Sequence, residues 1–184
     1  MESNTIINII AFTGTFIVME GVAWSNHKYI MHGFLWSLHE SHHKPRKGRF
    51  ELNDLFFVFY ASIAMVLMYF GYDNLDYRFW MGIGVTAYGF TYFLFHDVFI
   101  HRRGKFLDKI DNSYFQAMRK AHKVHHKKMG KEDGEEFGLL LFNDLFIRFY
   151  AGGTHDHVGK AWILVFFAAG FALSVISMTV YAFT

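Results

Sequence analysis

Long stretches without a charged side chain constrain this chain more than any other feature. No Asp, Glu, Lys or Arg occurs in four segments, residues 3–19, 55–72, 79–95 and 161–184. A helix needs about 20 apolar residues to cross the ~30 Å hydrocarbon core of a bilayer. With only 184 residues, too little chain remains to cover four such helices in a soluble protein. We therefore predict an all-α integral membrane protein with four spans, near 4–25, 54–72, 78–97 and 161–183.

The composition agrees with this interpretation and excludes other classes of protein. Hydrophobic residues make up 53% of the chain and charged residues only 18%, against about 25% charged in soluble domains. Cysteine is absent, which excludes disulfide scaffolds, thiolate metal sites and thiol catalysis. A formal net charge of +2 gives no argument for nucleic acid binding. We expect a single membrane-embedded domain over residues 1–184.

The basic residues predict how the spans are oriented. Of 18 Lys and Arg residues, 17 lie in 27–51 or 101–160. Because positively charged loops stay in the cytoplasm, we place both loops there and both termini on the other side of the membrane. Within the second loop, KEDGEE at 131–136 is interpreted as a solvated loop. Residues 138–150 are interpreted as an interfacial helix.

Ten of the twelve histidines repeat one order. They fall into four clusters, HKYIMH at 27–32, HESHH at 39–43, HDVFIH at 96–101 and HKVHH at 122–126. Each half is followed by a similar string, NDLFFVFY at 53–60 and NDLFIRFY at 143–150. We interpret this order as an internal duplication. His155 and His157 lie outside it and are expected to be loop residues.

The spacing within these clusters predicts metal binding. Histidines at i, i+3 and i+4 share a helix face, so three imidazoles can converge on metal. Histidines five apart lie about 140° apart on an ideal α-helix at 100° per residue. Either the helix unwinds at the membrane boundary, or the members of a pair serve different metals. Imidazole suits iron, zinc, copper and nickel, and ten ligands are too many for one ion. The predicted ligands of a dimetal site are His27, His32, His39, His42, His43, His96, His101, His122, His125 and His126.

Several polar residues are candidates to support these ligands, because ligating imidazoles usually donate their other N–H to an oxygen. The duplication includes Asn53, Asp54, Asn143 and Asp144, for which helix N-capping is the alternative role. Asp97 adjoins His96, although adjacent residues point apart on a helix. Glu20 lies within a predicted span and is a functional candidate on that ground, unless it only reaches the interface or pairs near the helix end.

The chain resembles a known family. The strings MEGVAWSNHKYIMHG at 19–33, WSLHESHH at 36–43, FHDVFIHRR at 95–103 and HKVHH at 122–126 resemble the membrane histidine-box oxygenases of the fatty acid hydroxylase superfamily. Within that group they are similar to the bacterial β-carotene 3-hydroxylases, and the likeness covers nearly the whole chain.

The resemblance implies that carbon 3 of the β-ionone ring is hydroxylated, which converts β-carotene through β-cryptoxanthin to zeaxanthin. It also implies a non-haem diiron centre, O2 and an external electron donor such as ferredoxin. Zinc can replace iron in a purified preparation, and no catalytic residue is expected apart from the metal ligands. Because no dinucleotide-binding motif is present, the electrons must come from another protein. The basic stretches 44–47 and 127–128 could receive an acidic donor, or could reflect only the positive-inside bias.

Three other functions remain open from the residues alone. HESHH fits the H-E-x-x-H signature of zinc proteases, with Glu40 as general base, but its copy has Lys123 at that position. A metal transporter needs ionisable groups along a path through the bilayer, whereas these histidines gather at one face. A hydroxylase or desaturase acting on fatty acids or sterols is not distinguished by spacing.

Overall fold

The computed structural model describes residues 2–44, 48, 50–103 and 113–140, and every regular element in these ranges is helical. Five α-helices follow one another: α1 (Glu2–Ser25), α2 (Trp36–His43), α3 (Asp54–Gly71), α4 (Tyr77–Tyr92) and α5 (Ser113–Lys127). Two π-helical segments, Asn26–Phe34 and Phe93–Ile100, continue α1 and α4, and the first has a kink at Gly33 (φ −106°, ψ −121°). The prediction of an all-α protein is therefore confirmed for the described residues.

Among the described residues, three helices are long and apolar enough to cross a membrane. They are Asn4–Phe34, Asp54–Gly71 and Tyr77–Ile100. They agree with three of the four predicted spans, except that the two π-helical segments lengthen the first and third helices. The predicted span 161–183 lies outside the described residues, as do most of the predicted interfacial helix 138–150, His155 and His157.

The helix α4 packs closely against both α1 and α3 because two of its residues are glycines. A Cβ atom at Gly82 would lie 2.7 Å from the carbonyl oxygen of Ala64 in α3. At Gly84 a Cβ atom would lie 2.8 Å from the carbonyl oxygen of Phe12 in α1. Small residues at such contacts are typical of membrane helices, because they let two backbones approach.

The helices α1 and α4 run parallel, which brings both π-helical segments to one end of the molecule. Asn8, near the start of α1, donates to the carbonyl oxygen of Leu75 just before α4. Further along the same two helices, the hydroxyl of Tyr88 donates to Glu20. The histidines carried by the two π-helical segments therefore lie at the same end, where α2 and α5 also carry theirs.

Candidate metal centre

Nine histidines bring their ring nitrogens together in two groups. Within each group, one nitrogen from each residue lies within 4.8 Å of all the others. The first group consists of His27, His32, His39, His43 and His125, and the second of His42, His101, His122 and His126. His96 lies beside the second group, with its ring centroid 4.7 Å from those of His101 and His122. All ten predicted ligands therefore gather at one place in the fold.

The π-helical segments bring together histidines that an α-helix would separate. Hydrogen bonds from i to i+5 define a π-helix, and each segment closes with one. Leu35 N–H donates to the carbonyl of Ile30, and His101 N–H to that of His96. Residues five apart therefore lie on the same side of the helix. The rings of His96 and His101 meet edge to face, with centroids 4.7 Å apart. The winding of the helix thus changes at these histidine pairs, which agrees with the first of the two alternatives that the sequence left open.

Each triple-histidine cluster is divided between the two groups. His39 and His43 enter the first group, whereas His42, between them, enters the second. The other copy mirrors this, because the middle histidine, His125, enters the first group and its two neighbours the second. The sequence suggested three imidazoles converging from one face. Positions i+3 and i+4 differ by about 100°, however, which turns them to opposite sides of i.

In the first group, every histidine faces an oxygen through Nδ1. His39 Nδ1 lies 2.8 Å from Asn53 Oδ1. The other four face backbone carbonyls of residues 128–137: His43 with Lys128, His32 with Lys131, His125 with Glu135 and His27 with Phe137, at distances of 2.7–3.3 Å. Because these oxygens only accept, Nδ1 carries the hydrogen in each ring. Nε2 therefore keeps its lone pair and is free to ligate.

At the second group, His42 and the adjacent His96 face carboxylates instead. His42 Nδ1 lies 3.2 Å from Glu51 Oε2, and His96 Nδ1 lies 3.3 Å from Asp97 Oδ2. The guanidinium of Arg103 joins the two acids, at 3.3 Å from Glu51 and 2.8 Å from Asp97. The arginine therefore holds both carboxylates in position behind two imidazoles.

Burial keeps these imidazoles neutral at physiological pH. Desolvation lowers the pKa of His39 to about 3 and that of His43 to about 4. Burial likewise lowers the pKa of His125 to about 3, and those of His42 and His122 well below the usual value. Neighbouring imidazoles add to this effect, since two positive rings in contact would repel. A neutral ring is the form that ligates a metal.

The two groups fit metal ions. His39 Nε2 lies 3.1 Å from His27 Nε2 and 3.2 Å from His43 Nε2, so lone pairs face one another unless a cation lies between them. His42 Nε2 is buried, and nothing in the described part of the chain hydrogen-bonds to it. The grouped donors are all imidazole nitrogens, which suits iron or zinc rather than magnesium or calcium.

The polar residues predicted to support the ligands occupy different places. Asn53 precedes α3 without capping it through its side chain, which contacts His39 instead. The carboxylate of Asp54 accepts from the backbone N–H of Glu51 and so holds the residue that contacts His42. Asp97 contacts its neighbour His96. Asn143 and Asp144 lie outside the described residues.

The loop 128–140 differs from the sequence prediction. The segment 131–136 was expected to be a solvated loop, yet Glu136 is buried and the residues on both sides supply carbonyls to the first group. The prediction is confirmed for residues 131–133, which are exposed and lie in a loop, and is wrong for Glu136. The charged letters describe side chains, whereas the backbone makes the contacts with the histidines. Asp133 and Glu136 both have positive φ, 56° and 60°, an unusual backbone for side-chain-bearing residues, and these turns aim the carbonyls at the histidines.

Glu40 faces away from both groups. Its carboxylate pairs with Lys44 at 2.8 Å, and its side chain is 41% exposed. A zinc protease needs this glutamate beside the metal as general base. In this geometry Glu40 does not lie where the general base of an H-E-x-x-H protease would be.

Comparison with known proteins places the chain among hydroxylases. It is 44% identical to a protein of Pantoea ananas named Beta-carotene hydroxylase, over 68% of this chain and 72% of that one. A protein of the same name from Pseudescherichia vulneris is 42% identical, over 73% of this chain and 77% of that one. Another from Paracoccus sp. is 36% identical, over 72% and 83%.

No solved structure matches the chain. Residues 12–148 match the fatty acid hydroxylase family, a range that begins inside α1 and includes the nine grouped histidines and His96. On that match the chain belongs to the fatty acid hydroxylase family.

Proposed function

We propose that this protein is a carotenoid hydroxylase that adds a hydroxyl group to carbon 3 of the β-ionone ring, converting β-carotene through β-cryptoxanthin to zeaxanthin. The observation that carries the proposal is the pair of all-histidine groups at one end of three apolar helices. The names of the bacterial relatives support the substrate. The family match over 12–148 supports one hydroxylase domain spanning residues 1–184.

The ten histidines would hold two iron ions. Five belong to the first group, and His96 would complete the second group of four, beside which its ring lies. Iron bound there would supply the redox chemistry that cleavage of an unactivated C–H bond requires. The protein itself supplies nitrogen donors, fixes their tautomers through Nδ1 and keeps the rings neutral by burial. The symmetric exchange of His42 and His125 between groups supports an internal duplication.

The reaction needs electrons from outside this chain. Replacing one C–H bond by C–O–H consumes one O2, two electrons and two protons, and releases one water. A cavity of about 350 Å³ opens beside the second group, between Lys44 and Lys123. Exposed Lys120 and Lys127 continue the basic surface along α5. This surface suits an acidic, soluble electron-transfer protein such as ferredoxin.

The substrate would come from the bilayer. The outer face of α3 exposes large apolar side chains, among them Phe57, Met65 and Phe70, which suits contact with lipid. The distribution of Lys and Arg supports an inner-membrane protein with the histidines at the cytoplasmic face and both termini in the periplasm. A lipid-dissolved substrate and a soluble donor would then approach the site from opposite sides.

Expression in a bacterium that accumulates β-carotene tests the proposal. Chromatography of the extracted pigments should reveal β-cryptoxanthin and zeaxanthin with the wild-type chain. A variant with His39→Ala and His42→Ala, which removes one ligand from each group, should leave the pigment unchanged. Unchanged pigment with the wild-type chain, together with a hydroxylated fatty acid, would overturn the carotenoid assignment in favour of a lipid hydroxylase of the same family.

A further inference from the structure

An acidic residue inside a membrane-length helix binds the loop that covers the first histidine group. Glu20 lies in α1 and is only 2% exposed. Its Oε1 accepts from the backbone N–H groups of Leu139 and Leu140, at 3.2 and 2.7 Å. Its Oε2 accepts from the hydroxyl of Tyr88 in α4, at 2.8 Å. One carboxylate thus joins two helices to the end of the loop 128–140.

This loop is what fixes most of the first group. Carbonyl oxygens of residues 128, 131, 135 and 137 accept from four of its five histidines. The ring of Phe137 also packs against His27, His32 and His125, with centroids 5.1–5.5 Å apart. The loop has no regular secondary structure, so its position depends on its contacts with the residues around it.

From these contacts we propose that Glu20 and Tyr88 are positioning residues, which hold the loop 128–140 against the first group and so set the tautomers of the four histidines that face it. This inference rests on the metal-binding role proposed above. A carboxylate within a membrane helix is costly, as is a buried backbone N–H without an acceptor. Here the carboxylate of Glu20 accepts hydrogen bonds from the two backbone N–H groups, so each group has a partner. Leu139 also lies in an apolar cluster with Phe99 and Met118. We call the contacts of Glu20 and Tyr88 with this end of the loop, together with that cluster, the anchor.

The two groups should respond differently when this anchor is lost. If the loop detaches, His27, His32, His43 and His125 lose the acceptors that keep the hydrogen on Nδ1. The second group draws its carboxylate support from Glu51 and Asp97, neither of which belongs to the loop. Loss of supporting contacts of this kind typically weakens metal binding about 10- to 100-fold. The inference therefore predicts one weakened site and one unchanged site.

Hydrogen exchange on the metal-free protein in detergent tests the anchor without any metal or activity. Glu20→Ala should speed exchange in peptides covering 128–140 by at least about tenfold, as expected for losing hydrogen bonds to a charged group. Glu20→Gln keeps an oxygen for the loop and should restore part of the protection. Tyr88→Phe should give an intermediate effect. Tyr69→Phe, a matched change on the exposed surface of α3, should behave as wild type.

Titration with Co²⁺, followed by visible absorption, tests whether loss of the anchor weakens metal binding at one of the two groups. Wild type should show two binding events, and Glu20→Ala should weaken one of them at least tenfold while leaving the other in place. Wild-type exchange at 128–140 in Glu20→Ala would overturn the anchor. Faster exchange with both binding events unchanged would overturn the positioning role. A wild-type chain that binds no Co²⁺ would count against the proposed function and leave the exchange result standing.

Discussion

At the scale of single residues, the position of the ring hydrogen determines which nitrogen of an imidazole can bind a metal. A ring with its hydrogen on Nδ1 offers the lone pair of Nε2. Within the described part of the chain, at least seven histidines direct Nδ1 to an oxygen that only accepts. Five of these oxygens are neutral and support the first group, whereas Glu51 and Asp97 are carboxylates beside the second. A carboxylate makes the imidazole it supports a stronger donor. The two groups are therefore chemically unequal although both consist of histidines.

The exchange of the middle histidines between groups predicts how metal is lost from double variants. If the grouping holds, His39→Ala with His125→Ala removes two ligands from the first group and should cost one ion. His42→Ala with His122→Ala should likewise cost one ion, from the second group. His39→Ala with His42→Ala takes a ligand from each group and should reduce occupancy of both. Elemental analysis of purified protein at limiting metal measures the occupancy.

Grouping by sequence halves would give the opposite result. It would assign His39 and His42 to one ion, so that their double variant lost only one. The other two pairs would then each affect both ions. Wild-type protein with about two ions per chain is the reference, and one ion in an active preparation would contradict the two-metal proposal itself.

Glu40 should be dispensable although it completes a protease motif. Its exposed pair with Lys44 is worth about 0–1 kcal/mol, and it does not reach either group. Glu40→Gln should therefore keep most hydroxylation activity, while His125→Ala, in the copy that lacks the glutamate, should abolish it. Pigment conversion in a β-carotene-producing strain measures both. Lost activity in Glu40→Gln at intact metal content, with His125→Ala active, would restore the case for a one-metal hydrolase.

The sequence was sufficient to identify the histidines but not most of what supports them. A repeated order singles out ten residues whatever the fold. Arg103 and Glu51, by contrast, are 52 residues apart and meet only in the folded chain. The carbonyl of Phe137 reaches His27 across 110 positions, and a backbone oxygen has no sequence signature. Asn53 was found because it lies in the duplicated string.

At the scale of helices, hydropathy predicted the spans and left one local feature open. The described spans begin within a residue of their predicted starts, because length and apolar content decide where a helix enters a bilayer. The π-helical winding was left as one of two alternatives, since a spacing of five says only that an ideal α-helix separates the pair. The hydrogen bonds at Ile30 and His96 decide it.

Glycines in α4 predict a packing test at this scale. Gly82→Ala and Gly84→Ala would each place a Cβ atom under 3.0 Å from a backbone oxygen of a neighbouring helix. Overpacking of this kind costs about 1–3 kcal/mol. Both variants should unfold at lower temperature in detergent, as measured by the loss of monodisperse protein on gel filtration after heating.

Gly89→Ala is the matched control on the same helix. A Cβ atom there would approach only the ring of Phe57, at 4.0 Å. Because alanine favours a helix over glycine by up to about 1 kcal/mol, this variant should be as stable as wild type or more so. Equal destabilisation of all three variants would contradict this prediction, because Gly89 makes no close backbone contact. The loss of stability would then not come from the close approach of α4 to its neighbours.

At the scale of the whole molecule, the exposed lysines of α5 and the grouped histidines lie at the same end. The parallel course of α1 and α4 brings the histidines together where α2 and α5 also lie, and the exposed lysines of α5 surround that end. The turn at the far end of α3 and α4 carries Asp73, Asp76 and Arg78. Among the Lys and Arg residues that the structure describes, only Arg78 lies at that far end, and the positive-inside bias then supports our proposal that the histidine end is cytoplasmic.

The absence of cysteine makes this orientation directly testable. Single replacements Asp73→Cys and Glu132→Cys change exposed residues, and the wild-type chain is an unlabelled control. In cells with a permeable outer membrane, an impermeant maleimide should label Asp73→Cys but reach Glu132→Cys only after lysis. Thr184→Cys should be labelled like Asp73→Cys if residues 161–183 cross the bilayer. Labelling of Glu132→Cys in intact cells would put the histidines in the periplasm, where a soluble cytoplasmic reductant could not reach them, and the proposed electron supply would fail with the topology.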